Sequence, residues 1–91
     1  MTKRQLLEEV ARKAHLTKKG AQEAIDVFLS EIARTLSKGE KVVLSGFGTF
    51  RVIRMKGKTV KIPGTNKLAT VKPHRSARFK PGRSLQRKVQ R

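Results

Sequence analysis

Between Phe50 and Phe79 the chain spaces nine cations through apolar and small residues, with no Asp or Glu among them: Arg51, Arg54, Lys56, Lys58, Lys61, Lys67, Lys72, Arg75 and Arg78. Such a set makes and breaks no bonds. Spaced ammonium and guanidinium groups neutralise a polyanion and release its condensed counterions. At the centre sits Ile62-Pro63-Gly64-Thr65, a turn signal: Pro fixes one backbone dihedral, and Gly supplies a positive φ. Met55–Lys61 and Lys67–Lys72 flank it as candidate strands, neither with the clean alternation of a strand lying on a core. The stretch therefore reads as a long basic hairpin leaving the globular body. An isolated two-stranded ribbon is marginal in water, so a partner dense in negative charge is expected to order it.

Catalysis finds no footing in the same residues. Metal-assisted phosphoryl chemistry needs carboxylates grouped beside the bound backbone. All six acids (Glu8, Glu9, Glu23, Asp26, Glu31, Glu40) precede residue 41. Gly46-Phe47-Gly48 lacks the third Gly, the Gly-Lys-Ser/Thr and the following helix of a nucleotide loop. His15 and His74 are too few for a zinc site, and there is no Cys. The expectation is a protein that is not an enzyme, with no cofactor, no metal and no small-molecule substrate.

The charge balance sharpens this. Residues 1–40 carry eight Lys/Arg against the six acids, whereas 41–91 carry fifteen and no acid, within a net charge of +17. A one-sign field of that density costs self-repulsion, and nucleic acid is the polyanion it fits first. Val, Leu, Ile and Phe recur through 41–91, which distinguishes this section from a solvating tail. No apolar run approaches the roughly 18 residues of a membrane span. Acids appear by Glu8, unlike a signal peptide. A soluble, cytoplasmic protein without membrane contact is expected.

The elements that must position these cations follow in order. Thr2-Lys3-Arg4-Gln5 has the capping-box pattern, and Leu6, Val10 and Ala14 continue at helical spacing to an end near His15. Thr17 opens a second helix with an apolar stripe through Ala21, Ile25, Phe28, Ile32 and Leu36, and Gly39 stops it. Lys41–Leu44 and Arg51–Arg54 read as strands around a glycine turn, with Phe47 and Phe50 needing burial. His74–Lys80 reads as a third strand, Pro81-Gly82 breaks it, and Arg83–Val89 forms a final short helix. The class is α+β: a helical hairpin, a three-stranded antiparallel sheet with a protruding β-ribbon arm, and a short C-terminal helix. It reads as one domain over 1–91, with a helical part at 1–40, a sheet body at 41–54 and 74–91, and an arm at 55–73.

Gly46-Phe47-Gly48-Thr49-Phe50, the arm with Pro63, and Phe79-Lys80-Pro81-Gly82 resemble the HU/integration host factor family of bacterial DNA-architectural proteins, over the whole chain. The arm departs from the family's Arg-Asn-Pro-x-Thr-Gly: Lys61-Ile62-Pro63-Gly64-Thr65-Asn66 keeps the charge, the Pro and the Thr. Ile62 replaces the Asn. Asn66, which also tolerates positive φ, replaces the Gly. The resemblance implies an intertwined homodimer, or a heterodimer with a close paralogue, built over Phe28, Leu44, Phe47, Phe50 and Phe79, with 1–40 as its helical dimerisation part. It further implies double-stranded DNA as partner, nicked, gapped or bent DNA by preference, in the nucleoid. Two arms would wrap the minor groove, with each Pro63 wedged between base pairs; on the residues alone, Pro63 could equally be an ordinary turn proline. Implied contacts are the nine cations above, the tip residues Ile62, Pro63, Thr65 and Asn66, and Gly46. Lys3, Lys80 and Arg83 join them at or beside helix starts, where N–H groups and the helix dipole attract phosphate. The rival is an RNA-binding or ribosome-associated structural protein, which charge alone would fit. Its usual stacking aromatics are missing, since there is no Tyr or Trp. Competition between duplex DNA and duplex RNA separates the two.

Overall fold

The computed structural model describes residues Met1–Gln90. Their elements are α1 (Lys3–Lys13), α2 (Lys18–Ser37), β1 (Val42–Leu44), β2 (Gly48–Met55), β3 (Lys58–Lys61), β4 (Leu68–Val71), β5 (His74–Pro81) and α3 (Arg83–Val89). The fold is α+β. It divides into two compact units, the first Met1–Thr35 and the second beginning at Leu36. No helix among the described residues is long and apolar enough to cross a membrane.

In the first unit the capping box forms as the sequence predicts. Gln5 N–H donates to Thr2 Oγ1 at 3.2 Å, and Thr2 N–H donates to Gln5 Oε1 at 2.9 Å, so two helix-end donors are satisfied together. α1 stops at Lys13 because His15 takes a left-handed φ of 58°, which lets Leu16 N–H reach back to Ala11 O at 2.9 Å. Histidine is one of the few non-glycine residues enriched in that conformation. Thr17 Oγ1 then accepts Gly20 N–H at 3.0 Å, starting α2. Leu7, Ala11 and Ala21 are buried where the two helices pack, with Val10 and Ile25 against them. Two of those three are alanines, and the transfer of one Leu is worth only about 1.5–3 kcal/mol. Further along α2, Val27, Phe28 and Leu29 remain exposed, Phe28 by 52%.

The second unit is built on an antiparallel sheet of order β1-β2-β5 and a separate β3-β4 ribbon. β2 is longer than the expected Arg51–Arg54. It begins at Gly48, paired with Pro81, and ends at Met55, paired with His74, so Met55 belongs to the body and not to the arm. The arm strands are correspondingly shorter than Met55–Lys61 and Lys67–Lys72. Lys56-Gly57 and Lys72-Pro73 interrupt both strands at one level, because Pro73 has no N–H to continue a ladder.

Gly48 marks the closest approach in the sheet. A Cβ there would lie 2.5 Å from Phe79 Cζ and 2.6 Å from the Lys80 carbonyl oxygen. The Phe79 ring thus lies over bare backbone, and its centroid is 5.4 Å from Phe47 and 4.8 Å from Phe50, both tilted pairs. Phe47 and Phe79 nevertheless stay partly open, with Phe47 47% exposed, so one chain does not provide the burial that the sequence predicts for them. Gly48→Ala must push the Phe79 ring or the β5 backbone aside. It is expected to lower stability by about 1–3 kcal/mol, read as a lower urea midpoint with an unchanged slope.

Candidate nucleic-acid interface

A strand turns successive side chains to opposite faces, so the register sorts the cations. Arg51 stands opposite Arg78, Thr49 opposite Lys80 and Ile53 opposite Ser76. These share one face of the sheet. The other face takes Phe50 opposite Phe79 and Val52 opposite Ala77, with Val42 and Leu44 of β1 in the same register. One sheet therefore has a basic face and an apolar face. On the basic face, Arg51 and Arg78 are directly opposed like charges, an arrangement that destabilises an antiparallel pair unless an anion intervenes. Among the described residues, the guanidinium of Arg78 reaches only the Met55 sulfur, at 3.9 Å.

Arg54 and Arg75 form a second opposed pair, at the far end of the apolar face. Arg75 has a local task there: its Nη2 donates to the Ser37 carbonyl at 3.0 Å, at the C-terminal end of α2, where free carbonyls favour a cation. Nothing in the sequence could announce a bond between residues 38 apart. Gly46 lies in the turn between β1 and β2 with φ 82°, and Phe47 N–H closes that turn on Leu44 O at 2.9 Å. Arg83 is the first residue of α3, which follows the Gly82 N-cap.

In the arm, Lys58 lies on the face of Val60, Ala69 and Val71, whereas Lys61 lies on that of Thr59, Leu68 and Thr70. Cations thus project from both faces of the ribbon. Lys56 and Lys72 sit in the break at its root, and Lys67 adjoins the tip. At the tip Thr65 N–H donates to Ile62 O at 3.2 Å, and Gly64 has φ 78°. With Pro at the second position and a positive φ at the third, this is a type II turn. Gly64 is the residue whose φ the turn requires, and the Pro-Gly pair in the sequence was its signal. Asn66 does not take up the positive φ its type permits, since His15 is the one non-glycine residue with positive φ among those described. The hydroxyl of Thr65 braces the turn, donating to Ile62 O at 3.1 Å and accepting Lys67 N–H at 3.2 Å.

Ion pairing is segregated. Arg4, Arg12, Lys13 and Arg34 pair with carboxylates on their own helices, and Lys3 Nζ lies 2.6 Å from Asp26. All these pairs are surface contacts of the first unit. Among the described residues, no Lys or Arg from 41 onward has a carboxylate partner. Lys3 also lines an open concavity of about 520 Å³ with Arg4 and Lys18, a grouping that the sequence reading, with Lys3 alone, did not make.

Comparison with known proteins gives the family. A sequence model of the family described as "Bacterial DNA-binding protein" matches residues 1–90. The chain is 39% identical to the DNA-binding protein HU of Thermotoga maritima over 89 residues, 98% of this chain and 99% of that one. It is 35% identical to the integration host factor subunit alpha of Buchnera aphidicola, over 98% of this chain and 87% of that protein. The fold superposes on an Anabaena HU–DNA cocrystal structure with a TM-score of 0.92 at 35% identity, over 98% and 97% of the two chains. It matches HU from Thermotoga maritima with a TM-score of 0.71 at 34% identity, over 98% of each chain. The chain belongs to the family of bacterial DNA-binding proteins that contains HU and integration host factor.

Proposed function

We propose that two copies of this chain associate to bind duplex DNA largely without regard to sequence, wrap its minor groove with their arms and bend it, as a non-enzymatic architectural protein of the nucleoid in the cytoplasm. The observation that carries this reading is Arg51 directly opposite Arg78 on an acid-free sheet face. A polyphosphate backbone is the ligand that turns that repulsion into attraction. Arg51, Arg78 and Lys80 would hold the duplex on the sheet. Lys56, Lys58, Lys61, Lys67 and Lys72 would follow its backbone along the arm, and Arg54 would meet it beside the root, at the end of β2. Gly46, Arg75 and Arg83, near the ends of the sheet, and Lys3 of the first unit are outer contacts. DNA is favoured over RNA because the basic face carries no Phe, Tyr or Trp: Phe50 and Phe79 share the opposite face, and His74 is the one ring side chain in register with Arg51 and Arg78.

Association would rest on the apolar surface that each unit leaves open, Phe28 on α2 and Phe47 and Phe79 around the sheet, together with the half-buried Leu44 and Phe50 beside them. A second copy is the partner of matching chemistry, whether identical or a close paralogue, and residues 1–40 would contribute the helical part of the joint core. At the arm tip, the type II turn holds Pro63 at its second position, rigid and without an N–H to satisfy, and this suits a wedge between base pairs. Ile62, Thr65 and Asn66 complete the tip.

Folding coupled to association makes melting depend on concentration. The melting temperature is expected to rise by about 3–5 °C per tenfold increase in protein. A concentration-independent melt with monomer mass in sedimentation counts against the dimer.

If six to eight phosphates are neutralised, the log–log salt slope is about −5 to −7, a loss of about 10³–10⁴ in affinity between 50 and 200 mM salt. Random duplexes of equal length should bind within a few-fold of one another. A slope shallower than about −2 contradicts the charge-driven reading.

Pro63→Ala removes the wedge and leaves every cation in place. Affinity for intact linear DNA should change by about 1 kcal/mol or less, while bending, measured by energy transfer between duplex ends, and preference for nicked DNA both fall. Unchanged bending reduces Pro63 to a turn residue.

A further inference from the structure

The arm tip consumes its own polar backbone at the residue before Pro63. Ile62 N–H donates to Lys67 O at 3.1 Å, and Ile62 O accepts both Thr65 N–H at 3.2 Å and the Thr65 hydroxyl at 3.1 Å. Pro63 has no N–H at all. Whatever meets Ile62 therefore meets a side chain that is apolar and 38% exposed, on a residue whose own N–H and C=O are already bonded. The side chain is also β-branched and stiff at χ1, so little rotamer freedom remains to be lost on contact. An asparagine in this place could donate to or accept from a base edge. Ile62 can do neither.

The floor of the minor groove differs between base pairs in one respect that such a surface would register. A·T pairs show only acceptors, whereas G·C adds the guanine N2 amino donor. Covering that donor with Ile62 strips it of water and returns no hydrogen bond, a cost borne by the complex. Steps without the amino group escape it, and a step with weakened stacking also opens more cheaply. We infer that Ile62 makes the arm tip selective for weakly stacked base steps whose minor groove lacks the guanine amino group; this rests on the wedge reading of Pro63. The selectivity is local to the kink. A protein free to slide along a random duplex finds such a step, so overall affinity stays nearly independent of sequence.

The test fixes the kink with a nick and varies only the adjoining pair: A·T, G·C or inosine·cytosine, which removes the amino group and leaves the G·C major-groove pattern. Competition by fluorescence anisotropy should show wild-type protein binding the inosine and A·T duplexes about fivefold tighter than the G·C duplex. Ile62→Leu, still apolar, should keep that ratio, and Ile62→Asn should bring it below about twofold. An equal ratio in wild type and Ile62→Asn overturns the role of Ile62, as does the absence of any ratio in wild type. Pro63→Ala, run on the same duplexes with energy-transfer bending, separates the two levels. If it loses bending while the Ile62 variants keep the wild-type ratio, the wedge stands and only the assignment to Ile62 fails. If Pro63→Ala bends DNA as wild type does, the wedge reading itself fails and takes the inference with it.

Discussion

From residue 41 onward the chain holds no Asp or Glu, and among the described residues no cation of its sheet and arm has a carboxylate partner. The constraint is sharpest where β2 and β5 set Arg51 against Arg78. Backbone pairing over eight residues holds the two strands together in spite of the repulsion. The first unit shows the alternative arrangement. There Arg12 leans on Glu9, and Lys3 on Asp26, in exposed pairs that are each worth little, and eight cations against six acids leave residues 1–40 close to balance. Two regimes of charge thus coexist in one small chain, and only the second regime requires a polyanion.

The same two-residue period that gathers Arg51, Arg78 and Lys80 on one face sends Phe50, Phe79 and Val52 to the other. Phe79 is the centre of that side: its ring contacts Phe47 and Phe50 and lies where any side chain on Gly48 would have to be. Yet the only apolar side chains buried in a single chain are Leu7, Ala11 and Ala21 among the described residues. A core of that size cannot offset the conformational entropy of a chain this long. The exposed phenylalanines are the surface that the proposed second copy would cover.

The arm obeys a third logic. It has almost no buried surface, and its separation from the body is built in by Pro73 and Gly57, which interrupt the two ladders together. Its tip, by contrast, is well determined: the turn bond, the Gly64 dihedral and the Thr65 hydroxyl all act on Ile62-Pro63. A ribbon interrupted at its root and braced at its tip is what the proposed function would use, the ribbon to follow a backbone and the tip to deform it.

Much of this was legible in the residues. The capping box of α1, the positions of both long helices, the turn at Pro63-Gly64 and the final helix depend on local chemistry, and local chemistry is written in neighbouring residues. The segregation of acids from bases was equally plain, because composition needs no fold. Three things were decided only by tertiary structure. Strand limits moved, since a ladder lasts as long as its partner strand allows: Gly48-Thr49-Phe50 and Met55 joined β2 because β5 runs alongside them. The nine cations of the Phe50–Phe79 stretch, one set in the sequence, were divided between two sheet faces and a ribbon by register, which a single strand does not contain. Arg75 was drawn to the end of α2 by a carbonyl 38 residues away, a contact that no spacing rule foresees. The sequence determined that the second half of the chain would need a polyanion; the pairing of strands decided which cations would stand together to meet it.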